Sequence, residues 1–285
     1  MKIAIISGGS IQREFASGFL SQLKPDRIIA ADRGLAFCAE TGLLPDLAVG
    51  DFDSLPGTLA GKYLPQTESG GRDISGEGRN DTALRNAPDI QNVPDIRNAP
   101  DIRNAPDIQN APDIQNVPDF RESLEGAGSV TVGGKVIRVI RHRPEKDATD
   151  TELAVSEAAA LGAREVYLLG ATGTRLDHVW GNIGLLYRLR QQGIRAWIVD
   201  AHNRIFMPAE KKVILSRENQ FGKYVSILPY GGPVRGITLE GFHYPLKEYT
   251  LFPGDESLCV SNEIEAETAV IHYREGVPVI IESRD

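Results

Sequence analysis

Cysteine is scarce in this chain, which argues against a protein held together by disulfides or by zinc. Among 285 residues there are two cysteines, Cys38 and Cys259, too few for a disulfide framework or a zinc site, which favours a reducing compartment. No run of about eighteen apolar residues is present, so the sequence predicts no membrane span. The apolar start at residues 1–6 is too short for a signal peptide. We therefore expect a cytoplasmic protein with no membrane partner.

Positive charge is also in short supply. The chain has 31 Lys and Arg against 39 Asp and Glu, a formal net charge of −8, so no excess of cations favours nucleic acid as a partner. An acidic protein that handles a nucleotide needs local cations and a metal ion instead. With 41% hydrophobic and 25% charged residues, the composition is globular and able to bury a core.

Short apolar runs alternate with helical patterns through the first two hundred residues. This alternation predicts a parallel sheet whose ligands bind beyond the carboxyl ends of the strands. The predicted strands are residues 3–6, 27–31, 47–49, 135–140, 165–169 and 196–200, the last being the final strand of that sheet.

Beyond about residue 203 the pattern changes to short runs separated by Gly, Pro and charged turns. Such runs, for example 213–215, 224–228 and 258–260, are typical of antiparallel strands. The prediction is thus an α/β parallel-sheet domain over residues 1–202, followed by a small antiparallel β domain over residues 203–285.

Six consecutive hexads of the form Asn-(Ala or Val)-Pro-Asp-(Ile or Phe)-(Gln or Arg) occupy residues 86–121. Proline at every sixth residue forbids a regular helix and suits a central strand poorly. Flanks such as residues 125–128 resemble linkers. We interpret the repeat as a disordered or loosely extended expansion within an insert at 66–134. The alternative is a partner-binding arm that uses the repeated isoleucines.

A glycine-bearing turn at residues 170–178 joins a predicted strand to a predicted helix. Backbone N–H groups at the positive end of a helix are a natural seat for phosphate. Arg175 adds a cation and Asp177 a carboxylate, which together suggest a phosphate site that carries out chemistry. The alternative is an ordinary strand-to-helix connection with Asp177 as the N-cap.

Asp51 and Asp53 follow the third predicted strand. Residues two apart in extended backbone project to the same side. Paired carboxylates at a strand end can hold Mg²⁺, which prefers oxygen ligands and keeps waters and substrate phosphates. The alternative is a solvated turn in which Asp51 and Ser54 make local backbone hydrogen bonds.

A third acidic stretch precedes the alanine-rich helix. Thr149 and Glu152 have the spacing of a capping box, which leaves Asp150 in the first turn but not needed for the cap. Alternatively, Asp147 is the N-cap and Asp150, three residues later, takes the second position of the capping box. Lys146 offers a point charge for phosphate.

On the helix after Arg175, two polar side chains share a face. His178 and Asn182 are four residues apart, and their position near the amino end suggests contact with a ligand. A structural histidine is the alternative.

Taken together, these stretches resemble the thiamine pyrophosphokinase family. The matching segments follow the family's order and leave out about 66–134. They are residues 31–34, 45–46 with 50–54, 145–147 with 149–150, 170–173 with 175–178, 241–246 and 261–263.

The resemblance implies transfer of the diphosphoryl unit of ATP to the hydroxyethyl oxygen of thiamine, which yields thiamine diphosphate and AMP. It also implies a homodimer with sites at the subunit interface, in which each protomer has an α/β catalytic domain that binds ATP and, over residues 203–285, a β-sandwich that binds thiamine. Two alternatives stay open: a related pyrophosphokinase for another small alcohol such as a pterin, and a catalytically idle nucleotide or thiamine sensor. The long insert departs from the family, whose members have a short connection there.

Motif matching also implies roles for single residues. Asp51, Asp53 and Asp150 would hold Mg²⁺. Asp32 would lie close to the reacting groups, and either Asp32 or Asp177 would accept the hydroxyl proton. The motif implies Gly170, Thr172, Gly173, Thr174 and Arg175 for ATP, to which the patterns above add Lys146, His178 and Asn182. The residues implied for thiamine, across the dimer, are Tyr244, Ser261 and Asn262.

Overall fold

The computed structural model describes residues 1–64, 124–255 and 257–285. The hexads at 86–121 and most of the predicted insert lie outside these residues. Of the helices in the described ranges, none combines the length and the apolar character needed to cross a bilayer.

A mainly parallel sheet with helices on both faces forms the first part of the fold. Its strands are β1 (Lys2–Ile6), β2 (Arg27–Ala31), β3 (Leu47–Gly50), β4 (Leu124–Val132), β5 (Lys135–His142), β6 (Glu165–Leu169) and β7 (Arg195–Val199). The helices are α1 (Arg13–Leu23), α2 (Gly34–Thr41), α3 (Gly57–Tyr63), α4 (Asp150–Ala160) and α5 (Leu176–Gln191). The central strands are runs of Ile, Val, Leu and Ala buried on both faces, as a parallel sheet requires.

The strand order in this part of the sheet is β7-β6-β1-β2-β3-β5-β4. Side chains of α1 and α2 pack on one face of the sheet and those of α4 and α5 on the other. The order of connection therefore reverses between β1 and β6, which creates a crevice at their carboxyl ends. Such switch points are where open α/β sheets bind ligands.

The structure corrects the prediction for the flank at residues 125–128. These residues lie in β4, which pairs antiparallel with β5 through the turn at Gly133 and Gly134. Most of β4 is exposed, because it is an edge strand. Its Gly, Ala and Ser residues resemble a linker in composition, so the linker prediction was wrong. Residues 124–134 belong to the sheet rather than to the insert.

The C-terminal strands are β8 (Asn203–Phe206), β9 (Lys212–Ser216), β10 (Tyr224–Pro229), β11 (Val234–Glu240), β12 (Leu246–Leu251), β13 (Asn262–Glu263), β14 (Thr268–His272) and β15 (Pro278–Ser283). They confirm the change to antiparallel structure. The predicted strand at 258–260 is instead a 3₁₀ turn at Ser257–Cys259 followed by β13.

The large sheet does not end at β7, so the prediction that 196–200 is its last strand was wrong. Strand β8 pairs antiparallel with β7, and β15, β10 and β13 continue the same sheet. Within the described residues this sheet has eleven strands. The predicted boundary at residue 202 therefore falls between two neighbouring strands of one sheet.

A second sheet, in the order β12-β11-β14-β9, covers the C-terminal end of the first. Val225, Ile227 and Ile280 of the large sheet pack with Ile237 and Ile271 of the small one, and all five are almost completely buried. Two sheets that enclose a common core form a sandwich. One layer of this sandwich is thus the continuation of the α/β sheet.

Candidate active site

Three carboxylates meet at the carboxyl ends of β2 and β3. Asp32, Asp51 and Asp53 each offer an oxygen, and these oxygens lie within 4.8 Å of one another. The strands are parallel neighbours, so the residues that follow them lie at the same edge of the sheet. The backbone N–H of Asp32 donates to the carbonyl of Val49 over 2.9 Å, which fixes the turn after β2 against β3.

Gly50 allows the backbone to come close to these carboxylates. A Cβ atom there would lie 3.1 Å from Asp32 Cβ and 3.2 Å from Asp150 Oδ1, and Gly50 has a φ of +153° that other residues rarely adopt. Asp32 itself has a φ of +42°, a left-handed conformation that costs free energy in a residue other than glycine. Strain of this kind concentrates at functional sites.

Ser54 orients Asp32. Its Oγ donates to Asp32 Oδ2 over 2.7 Å, whereas the turn interpretation expected Ser54 to bond the local backbone. The other oxygen, Asp32 Oδ1, is buried and has no hydrogen bond within the described residues. A buried acceptor without a partner is rare, and it suits a site that receives a cation or a proton from a ligand.

Lys146 is enclosed by carboxylates rather than presented to a phosphate. Its Nζ lies 2.5 Å from Asp51 Oδ2 and 3.1 Å from Asp150 Oδ1, and its side chain is 4% exposed. Burial opposes the charge, but the hydrogen bond to Asp51 and the charge of Asp150 hold the Lys146 pKa above its usual value. In this structure Lys146 therefore forms a buried ion pair with the carboxylates, and its contact with ATP stays a prediction.

Asp150 begins α4, as expected. Thr149 is the N-cap, and its Oγ1 accepts from the backbone N–H of Glu152 over 3.2 Å. This confirms the capping interpretation with Thr149, so the alternative cap at Asp147 was wrong. Asp150 lies close to the cluster, with its Oδ1 3.1 Å from Lys146 Nζ. Asp32 is the third carboxylate with an oxygen within 4.8 Å of those of Asp51 and Asp53, and the predicted role of Asp150 as a metal ligand stays a prediction.

The carboxylates perturb one another. Burial raises the pKa of Asp150, and the charges of Asp51 and Asp32 add to this against the opposing charge of Lys146. Asp51 is also partly buried, yet hydrogen bonds from Lys146 and from the Asp53 N–H lower its pKa. The hydrogen bond to Asp51 and its negative charge raise the pKa of Asp53. Such crowding of like charge is what a divalent cation relieves, and the oxygen-only donor set fits Mg²⁺.

The glycine turn after β6 is fastened to the loop after β1. Gly9 N–H donates to the Gly170 carbonyl over 2.8 Å and Ser10 N–H to the Thr172 carbonyl over 2.9 Å. A Cβ on Gly9 would lie 2.4 Å from both acceptor oxygens, so this approach requires glycine. The two loops that border the switch point are therefore held together.

The two polar residues predicted on one face of α5 have different environments. Asn182 is buried, and its Nδ2 donates to the Ala171 carbonyl over 2.8 Å. This contact supports the turn, which is a positioning role. His178 is exposed and lines a groove between the N-terminal ends of α4 and α5.

Arg175 and Asp177 form an exposed ion pair. Arg175 Nη2 lies 2.5 Å from Asp177 Oδ2, and the two side chains are 69% and 65% exposed. The N-cap of α5 is Arg175, so the interpretation of Asp177 as N-cap was wrong. The hydrogen bond from Arg175 lowers the pKa of Asp177 to about 2, which makes Asp177 a weak proton acceptor.

The residues predicted for thiamine lie around β13. Asn262 is 2% exposed; its Oδ1 accepts from Tyr244 N–H over 3.0 Å and its Nδ2 donates to the Tyr244 carbonyl over 2.8 Å. Asn262 therefore fixes the backbone of Tyr244, whose ring is 60% exposed. Ser261 adopts a left-handed φ of +57°, and its N–H donates to Ser226 Oγ over 3.0 Å.

A single chain does not bring these residues to the carboxylate cluster. Strand β13 is the edge strand of the large sheet, and seven strand steps separate it from β2. At about 4.8 Å per step, the separation along the sheet is about 34 Å. The predicted site residues thus fall into two groups at distant parts of the molecule.

Two segments of the chain match known family models. Residues 132–198 match the model described as thiamin pyrophosphokinase, catalytic domain, and residues 211–277 match that described as thiamin pyrophosphokinase, vitamin B1 binding domain. Both matches indicate the thiamin pyrophosphokinase family. The catalytic match includes Asp150 and the turn after β6, and the other match includes Tyr244 and Asn262.

Individual members of the family agree with this assignment. The thiamine pyrophosphokinase of Bacillus subtilis (strain 168) is 34% identical over 145 residues, which are 50% of this chain and 66% of that protein, just under two thirds of its length. A crystal structure of the thiamin pyrophosphokinase from Geobacillus thermodenitrificans is similar with a TM-score of 0.64 at 26% identity, covering 100% of this chain and 98% of the other. The B. subtilis crystal structure has a TM-score of 0.65 at 22% identity with complete coverage of both chains, a likeness of fold.

Three residues that shape the site were not predicted as site residues from the sequence. Gly50 and Ser54 shape and orient the carboxylates, and Ser7 Oγ accepts from Thr151 Oγ1 over 3.1 Å, which joins the end of β1 to α4. The signal available for all three was their position directly after a predicted strand or beside an acidic motif. Such a position indicates that a residue lies at the edge of the sheet, but it does not identify the residue that it contacts.

Proposed function

We propose that this protein is a thiamine diphosphokinase that uses Mg²⁺ and ATP to convert thiamine to thiamine diphosphate, with release of AMP. The observation that carries the proposal is the cluster of Asp32, Asp51 and Asp53 at the carboxyl ends of neighbouring strands, in a chain of this family. The full activity is a proposal because the curated relative is matched over 66% of its length.

The metal would bind among the three clustered carboxylates, where it would neutralise the charge of the ATP phosphates and of the leaving group. Lys146 supports this group by pairing with Asp51, and Asp150 in turn pairs with Lys146. This assignment places Asp32 beside Asp51 and Asp53 and gives Asp150 a supporting role.

Asp32 is our choice for the proton acceptor. Its Oδ1 has no hydrogen bond within the described chain, and Ser54 orients the carboxylate through Oδ2. Asp177 competes poorly because Arg175 lowers its pKa to about 2. Positioning of the thiamine hydroxyl against the β-phosphorus supplies most of the rate enhancement, and removal of the proton typically contributes a further factor of about 10² to 10⁴.

The phosphates of ATP would lie along the turn from Gly170 to Thr174, with Arg175 as the cation. Support comes from the position of this turn before the N-terminus of α5 and from the exposure of Arg175, because a helix N-terminus attracts anions. Asn182 supports this turn through its hydrogen bond to the Ala171 carbonyl.

The protein is proposed to act as a homodimer. Tyr244 and Ser261 are about 34 Å along the sheet from Asp32, so thiamine held by one chain reaches the carboxylates only if these belong to a second chain. An isologous dimer places each sandwich against the other chain's carboxylates. We also propose a cytoplasmic location, supported by Cys38 and Cys259, which are buried and free.

The test is a coupled assay of AMP with purified protein, ATP and Mg²⁺, with thiamine or a hydroxymethyl pterin as the acceptor. We expect AMP and thiamine diphosphate in equal amounts with thiamine, and no product with the pterin or with excess EDTA. A pterin product would support a related pyrophosphokinase. Binding of thiamine and ATP without AMP release would support an idle sensor.

A further inference from the structure

A second cavity opens at the carboxyl ends of β6 and β7, beside the start of α1. It encloses about 570 Å³ of space, including its open mouth. Ile11, Phe15 and Val199 contribute apolar walls, and Gln12 and His202 are polar groups at its margin. A mostly apolar cleft with a few polar groups at the switch point of an α/β sheet is the usual form of a small-molecule site.

The cavity shares Gly170 and Thr172 with the turn proposed for the phosphates. Three strand steps separate the middle of β6 and β7 from the middle of β2 and β3, about 14 Å. A ribose and a triphosphate chain are long enough to bridge this gap. A flat heterocycle in the cavity would thus be connected, through the turn, to phosphates at the carboxylate cluster.

We infer that this cavity binds the adenine ring of ATP and that Gln12 selects adenine over guanine. The inference rests on the proposed function, which requires ATP but assigns no site to its base.

Phe15 forms a fixed wall for such a ring. Its ring stacks on Phe19, with centroids 5.8 Å apart, and meets the edge of Phe221 at 6.1 Å. Because these neighbours hold the phenyl group in place, the apolar surface exists before a ligand arrives. A preformed wall reduces the entropy that binding must overcome.

Gln12 is the polar residue suited to recognise the base through hydrogen bonds. It is exposed, it lines the cavity, and as the N-cap of α1 its side chain makes no capping hydrogen bond. A carboxamide offers one donor and one acceptor side by side, which matches the N6 amino group and N7 of adenine. Guanine presents two acceptors, O6 and N7, on that edge and pairs with two donors instead.

Two charged residues near Gln12, Arg13 and Asp200, have other partners. Arg13, which would favour guanine, forms an ion pair with Glu40. Asp200, which lines the cavity, has its Oδ1 occupied by the backbone N–H groups of His202 and Asn203 at 2.8 and 2.7 Å. The carboxamide of Gln12 is therefore the group that discriminates between the purines.

Calorimetric titration of the full protein with non-hydrolysable analogues of ATP and GTP, in Mg²⁺, tests the inference. We expect the ATP analogue to bind more tightly, and Gln12→Ala to weaken it about tenfold while affinity for the GTP analogue changes little. Ala201→Trp, which fills the cavity, should weaken both. Gln192→Ala makes the same chemical change at the exposed C-cap of α5 and should alter neither affinity.

Photolabelling of the unmodified protein with 8-azido-ATP provides a readout independent of variant folding. The label is expected on peptides that contain residues 10–16 or 199–202. Label elsewhere, or wild-type affinity for the ATP analogue in folded Gln12→Ala and Ala201→Trp, overturns the inference while the proposed function stands. If the unmodified protein binds neither nucleotide, both the inference and the proposed function are wrong.

Discussion

The ammonium group of Lys146 lies 2.5 Å from Oδ2 of Asp51, a residue 95 positions earlier in the chain. This contact joins the segment before α4 to the end of β3, on either side of the residues that the structure does not describe. It explains why the two acidic motifs can share one site despite the intervening insert. Their assembly is fixed by a buried ion pair between elements of the sheet.

Replacing Asp51 by Asn should remove metal-dependent turnover. The amide keeps the shape of the side chain but lacks the charge that holds Mg²⁺ and Lys146, so kcat/KM should fall at least about 100-fold. The measurement is AMP formation, together with Mg²⁺ titration. Asp26→Asn, where the Asp accepts from Lys2 N–H before β2, is the matched control. Near wild-type turnover in Asp51→Asn would contradict the metal assignment.

Replacing Asp150 by Asn should stabilise the metal-free protein at neutral pH. Burial raises the pKa of Asp150 from its ordinary 3.8, so the folded state holds this proton more tightly than the unfolded state. Ionisation therefore costs stability as pH rises above 3.8, and Asn does not ionise. Denaturant unfolding in EDTA should show the variant more stable at pH 7 and equal to wild type near pH 3.8. A less stable variant at pH 7 would refute the pKa direction.

Replacing Asn262 should lower the stability of the protein, whereas replacing Tyr244 should weaken the binding of thiamine. Asn262→Ala leaves two backbone groups of Tyr244 without partners and should lower the free energy of unfolding by about 1–3 kcal/mol. Tyr244→Ala removes an exposed ring and should raise the KM for thiamine about tenfold with stability unchanged. Thermal melts and thiamine titrations separate the two effects. Equal loss of stability in both would show that the Tyr244 ring is structural.

Mixing two variants that are each impaired at low thiamine should restore part of the activity. In a heterodimer of Asp51→Asn and Tyr244→Ala chains, one of the two sites has Asp51 from one chain and Tyr244 from the other. Random reassortment at equal amounts should give about a quarter of wild-type activity at low thiamine. Each variant alone, taken through the same dissociation and reassociation, is the control. Absence of recovery would favour a site within a single chain.

Deleting residues 86–121 should leave activity within a few-fold of wild type. These residues lie outside the described ranges, and the elements on either side, α3 and β4, contact each other, so a shorter connection still closes. Loop closure changes by about 0.6 kcal/mol per doubling of length, so the deletion should stabilise the protein by about 1 kcal/mol. Denaturant unfolding and the AMP assay measure both. A folded but inactive deletion would show that the repeats serve the site.

Local sequence patterns predicted the parallel strands because these strands are continuous apolar runs buried on both faces. The cap at Thr149 was predictable for a similar reason, since a capping box lies within four residues. Edge strand β4 has no apolar pattern, and composition could not distinguish it from a linker.

Long-range pairing was beyond the reach of local patterns. The continuation of the sheet from β7 into β8 depends on register between strands, and the partner of Lys146 is 95 positions away. The carboxylates were predictable as a group, because they follow strands that end at one edge. Which of them lie within 4.8 Å depends on the backbone at Asp32 and Gly50.

The pairing of β7 with β8 also restricts how the enzyme can move. Strand registers such as Trp197 with Phe206 and Ile198 with Ile205 leave no flexible hinge between the two halves of a chain, because bending there would break a ladder of backbone hydrogen bonds. In the proposed homodimer, closure over the substrates would then occur by one subunit shifting relative to the other. Substrate capture and product release are accordingly expected to follow the motion of the dimer interface.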